Sequence, residues 1–87
     1  MNVRTKTSKQ ATKAPVAKLQ VQLLQAAVWE QQVNDGTAYS VSFERRYRDA
    51  EGNWHSTHSY NANDLLALAK LADLAHTEIA RLRAANR

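Results

Sequence analysis

Along the chain, apolar and polar residues change period twice, and each change marks a new element. From Lys18 to Glu30, Leu19, Val21 and Leu23 alternate with Gln20 and Gln22. Leu24, Ala26 and Val28 then alternate with Gln25, Ala27 and Trp29. The apolar phase slips by one residue at Leu23-Leu24. Such a slip moves side chains to the other face, so a bend, bulge or break between two short strands is predicted there. Tyr39, Val41, Phe43, Arg45 and Tyr47 alternate with Ser40, Ser42, Glu44 and Arg46, which predicts a half-buried strand. Asn34-Asp35-Gly36 ahead of it supplies the positive φ that a tight hairpin needs. Asp49-Ala50-Glu51-Gly52-Asn53 turns the chain again, and Trp54 to Tyr60 returns antiparallel.

Beyond Asn61 the period becomes helical. Leu65, Leu68, Ala72, Ala75, Ile79 and Leu82, joined by Ala69 and Leu71, form one broad apolar stripe over Asn61 to Ala85. Asn61 or Asn63 can cap the start, and Asp64 suits the positive end of the helix dipole. Arg81, Arg83 and Arg87 suit the negative end. Leu66 and Leu74 fall off this stripe, beside Lys70. A face formed by Leu66, Leu74 and Lys70 is therefore expected to be covered by a second copy of the chain. The fold class is α+β: an antiparallel four-stranded sheet followed by one long C-terminal helix, assembled as a homodimer.

Charge changes the picture in one respect. The net charge of +4 over 87 residues is unevenly placed. Residues 1–18 carry five bases and no acid, whereas residues 19–87 carry seven bases and eight acids, a net of −1. Residues 1–17 are read as a disordered basic tail and residues 18–87 as one domain. The start, MNVRTKTSKQ, has no apolar core of a secretory signal, and no apolar run reaches the ~20 residues of a membrane span. With no cysteine, disulfides and thiolate metal sites are excluded, and a cytoplasmic location is expected.

Catalytic patterns are weak, so no enzyme is expected, and no cofactor or metal. His55 and His58 stand three apart on a strand and point to opposite faces. His76 on the helix reads as a core or interface histidine, and two glycines cannot build a phosphate loop. The constellation that carries chemistry is Arg45, Arg46, Tyr47, Arg48 and Trp54, with Lys18 nearby. Single strands are held by cations along the phosphates and by aromatic faces on which bases stack. The expected partner is single-stranded DNA, or RNA in its place.

The order of elements, the run FERRYRDAEGNW and the helix start NANDLLALAKLADLAH resemble the positive cofactor 4 family of transcriptional coactivators. The likeness spans Leu19 to Leu82 and includes the Asp-x-x-Gly turn Asp49-Ala50-Glu51-Gly52. It implies a ββββα subunit that dimerises through its helices and binds single-stranded DNA on its sheets with little sequence preference. By that likeness Tyr47 takes the place of a stacking tryptophan, surrounded by Arg45, Arg46 and Arg48. Trp54-His55-Ser56-Thr57-His58 stands where the family has a basic stretch, and Asp64-Leu65-Leu66 replaces a Glu-Gln-Trp-like segment. The sequence is also similar to small bacterial, phage and plasmid proteins. The alternative reading is a dimeric protein-interaction module, such as a mobile-element-encoded inhibitor of a nucleic-acid enzyme. It would use Tyr47 and Trp54 as interface anchors.

Overall fold

The structure, a computed structural model, describes residues 14–85. Most of the expected basic tail, and Arg87, lie outside them. Four strands, β1 (Ala17–Val21), β2 (Leu24–Val33), β3 (Gly36–Arg48) and β4 (Trp54–Thr57), form one antiparallel sheet in sequence order. A short 3-10 turn, Ala62–Asp64, leads into helix α1 (Leu65–Ala85). Among the described residues no helix is long and apolar enough to cross a membrane.

The phase slip at Leu23-Leu24 is a tight hairpin. Val21 pairs with Leu24, leaving only Gln22 and Leu23 in the loop, and Gln22 takes φ 55° to close it. Because the chain reverses there, Leu19 and Val21 end on the same face as Leu24, Ala26 and Val28. The slip thus keeps the apolar residues together. At the next hairpin Val33 pairs with Gly36 across Asn34 and Asp35, with Gly36 at φ 149°. In the third turn Asp49 Oδ1 accepts the backbone N–H groups of Glu51 and Asn53, at 3.0 and 2.9 Å. Gly52 sits at φ 88°, where a Cβ would lie 3.2 Å from Arg48 Nη2. β4 is shorter than its alternation predicts. After Thr57 the chain leaves the sheet, and His58 Nδ1 donates to the carbonyl of Phe43 at 2.8 Å.

Helix entry is fixed locally: the Asn61 N–H donates to Asp64 Oδ2 at 2.9 Å, half of a capping box. α1 lies across β1 and β2, burying Leu71 and Ala75, with Leu71 packed on Leu24 and Ala26. Leu19, Val21, Val41, Phe43, Tyr60, Ala67 and Leu68 close around that cluster. Burial raises the pKa of the Tyr60 hydroxyl, and the nearby Glu44 charge adds to the effect.

Leu68, Leu71, Ala75, Ile79 and Leu82 of the predicted stripe face inward, but the stripe is turned at its edge. Leu65, Ala69 and Ala72 are exposed, whereas Leu74 is half-buried on the edge of the sheet-facing side. Leu66 stays 86% exposed with Lys70 on the outward face, so the predicted trio does not share one surface. His76 is exposed and contributes nothing to the core. One helix covers one face of the sheet, and the slab measures 15 Å along its shortest axis. The other sheet face has no covering layer among the described residues.

Candidate nucleic-acid interface

A strand sends neighbouring side chains to opposite faces, and this rule divides the arginine-rich run. Arg45 pairs with the buried Leu24 and Tyr47 pairs with His55, so both lie on the helix side. Arg46 and Arg48 lie on the open side with Trp54, which pairs with Arg48. Lys18 pairs with Ala27 and shares that open face. Of the six residues singled out in the sequence, Lys18, Arg46, Arg48 and Trp54 are brought to one surface. Arg45 and Tyr47 are not.

The two faces also differ in how their cations are held. Arg45 Nε donates to the Ser59 carbonyl at 3.0 Å and lies 3.4 Å from Asp64 Oδ2. That guanidinium ties the end of β4 to the helix entry. Its Cζ is 5.7 Å from the Tyr47 ring centroid, and Tyr47 in turn stacks on His55 at 5.3 Å. His55 Nε2 donates to Asp49 Oδ2 at 2.6 Å. This bond, with the N–H groups of Asn53 and Glu51, holds the Asp49 carboxyl below its usual pKa. Arg45, Tyr47, His55 and Asp49 thus form a connected structural network.

Among the described residues the cations of the open face have no acidic partner: neither Arg46 nor Arg48 makes an ion pair. Arg48 Nε donates to the Gly52 carbonyl at 3.2 Å, which steadies the turn and leaves its terminal nitrogens available. Arg46 Nε is walled off from solvent with no hydrogen-bond partner. Both guanidinium groups lie against Trp54, at 5.7 and 5.4 Å from its ring centroid. Trp54 is still 50% exposed. Guanidinium planes and an indole ring in contact offer stacking surfaces and positive charge together.

The open face carries further residues that the charge-and-aromatic reading passed over. Trp29 stands in the polar phase of β2, and its indole N–H donates to Ser42 Oγ at 3.0 Å. Beside it is a cavity of about 400 Å³, whose lining includes Lys18, Gln20, Gln25, Trp29, Ser42 and Glu44. A tryptophan in the polar phase of a strand was the available signal, because a half-buried strand normally turns such a ring inward. No group of three or more metal-ligating side chains occurs among the described residues. Comparison of the chain with protein-family models, curated proteins and solved structures finds no match in any of the three.

Proposed function

We propose that the chain is a non-enzymatic binder of single-stranded nucleic acid, DNA in the first place, with the open sheet face as its platform. The observation that carries this reading is the exposed Trp54 flanked by Arg46 and Arg48, two cations that, among the described residues, have no acidic partner and lie on a sheet face with no covering layer. A purely structural arginine is normally matched to a carboxylate, as Arg45 is to Asp64; Arg48 gives only its Nε to the Gly52 carbonyl, and Arg46 Nε has no partner. The resemblance to the positive cofactor 4 family points the same way. Lys18, Arg46 and Arg48 would contact phosphates, and Trp54 would stack a base.

Titration of a labelled oligothymidylate against a duplex of equal length tests this reading. The single strand binds more tightly than the duplex. Three phosphate contacts at the single-strand slope of about −0.7 each imply a loss of roughly 20-fold in affinity between about 50 and 200 mM salt. Absence of binding at the lower salt would remove the nucleic-acid reading. A protein partner would take its place, as the net charge of −1 over residues 19–87 allows.

The same reading includes a homodimer. An 86% exposed leucine on a regular helix supports a covering partner, and Leu66 with Lys70 offers that surface to a second copy. Leu66→Lys should shift the mass measured by light scattering from dimer to monomer, with the circular dichroism spectrum unchanged. A parent chain that already has the monomer mass would end the dimer proposal.

A further inference from the structure

We infer that the cavity beside Trp29 is a base-reading subsite that selects guanine, set into the interface proposed above and resting on that proposal. The register lays out its parts. Ala27 lies between Lys18 and Ser42, and Gln25 lies between Gln20 and Glu44. Small side chains, Ala27 and Ser42, therefore form a low floor. Trp29 closes one end, Gln25 and Glu44 stand at the other, and Lys18 is on the rim. The indole is held in place through its hydrogen bond to Ser42 at 3.0 Å. At about 400 Å³ the space falls within the range of about 300–1,000 Å³ common for small-ligand sites.

Glu44 decides which base fits. A carboxylate repels phosphate, so on a surface built to hold a nucleic-acid backbone it is out of place unless it reads something else. Among the described residues the Glu44 carboxylate makes no hydrogen bond or ion pair, although Glu44 is half-buried and its charge is felt at the Tyr60 hydroxyl. An ionised carboxylate only accepts, and its two oxygens suit two adjacent donors. On the Watson–Crick edge guanine alone presents such a pair, its ring N1–H and its exocyclic N2 amine. Thymine offers a single N–H between two carbonyls that would face the carboxylate unfavourably. Adenine and cytosine each offer one amine beside an acceptor nitrogen. A guanine stacked on Trp29 would present its donor pair to Glu44, with Gln25 beside it and Lys18 at the adjoining phosphate.

Trp29 stands far from Trp54 on the shared face, although Glu44 is only two positions from Arg46. Trp29 pairs with Ser40 and Trp54 with Arg48, eight positions apart on β3. That is about 27 Å along the strand, so one oligonucleotide must run several nucleotides to reach both. Backbone binding around Trp54 and base choice at Trp29 can therefore be measured apart.

The experiment compares three labelled strands by fluorescence anisotropy: oligothymidylate, the same strand with isolated guanines, and the same strand with inosine at those positions. Inosine keeps the N1–H and lacks the N2 amine. Isolated guanines avoid four-stranded assemblies. The parent should bind the guanine strand at least about fivefold more tightly than oligothymidylate, the lower bound for a bidentate base contact. The inosine strand should lose most of that preference. Glu44→Gln should collapse the ratio while raising affinity for oligothymidylate, because a negative charge is removed. Equal binding of all three strands by the parent would overturn the subsite and leave the platform standing. A guanine preference that survives Glu44→Gln or inosine would overturn the role of Glu44. Failure to bind any strand would overturn the platform, and the subsite with it.

Discussion

Leu71→Ala is expected to cost about 2–5 kcal/mol of stability, the range for truncating a fully buried leucine. Leu71 is 0% exposed and sits between the helix and the sheet, on Leu24 and Ala26. How far Leu19, Phe43, Leu68 and the other side chains around the cluster can move into the space left decides where in that range the loss falls. A domain of this size draws on a total of about 5–15 kcal/mol, and small ones lie toward the lower end. At about 4–8 °C per kcal/mol, the melting temperature should fall by roughly 8–40 °C. Leu65→Ala, at a position 55% exposed, should change it by only a few degrees. Thermal melts followed by far-ultraviolet circular dichroism check both variants. A Leu71→Ala loss no larger than that of Leu65→Ala would mean that the helix is not docked through Leu71.

The sheet was legible in the sequence because its signals are local. The alternation in β3, the glycines of two turns and the Asp49 side chain each act within a few residues. Even the slip at Leu23-Leu24 could be seen, although only the register shows it to be a two-residue hairpin. The edges of the α1 stripe were harder to read. The segment from Leu65 to Ala75 has leucine or alanine at nearly every position, so several stripes satisfy the same period. The sheet surface narrows them: Leu68, Leu71, Ala75, Ile79 and Leu82 of the predicted stripe turn inward, and Leu65, Ala69 and Ala72 do not. The helix sequence alone does not set the edges of the stripe. The candidate site failed in a different way. Arg45, Arg46, Tyr47 and Arg48 look like one cluster on the page, but period two separates them by the thickness of the sheet. The alternation in Tyr39 to Tyr47 already sets Arg46, and Arg48 one step on, with Ser40, Ser42 and Glu44; what it does not show is which set faces the helix.

That separation produces the second large effect, which tells the two aromatic residues apart. Trp54→Ala is expected to weaken oligothymidylate binding by about 1–3 kcal/mol, the usual worth of a base-aromatic stack. Trp54 is half exposed and its removal leaves no cavity, so the melting temperature should move by only a few degrees. Trp54→Phe keeps a ring at the same place and should recover part of the binding. Tyr47→Ala should do the reverse. Its ring stacks on His55 and lies beside the Arg45 guanidinium, on the face away from Trp54, so its loss loosens the junction of β3, β4 and the helix entry. Stability should fall while the affinity of the folded fraction stays near that of the parent. Arg46→Ala provides the electrostatic arm: it should weaken all single strands alike and make the salt dependence shallower by one contact. All three positions are read by thermal melts and by anisotropy at two salt concentrations, at a temperature where each variant is folded. A folded Tyr47→Ala chain that loses as much binding as Trp54→Ala would place the platform on the helix side, and a Trp54→Ala chain that binds like the parent would remove the stacking role of the open face.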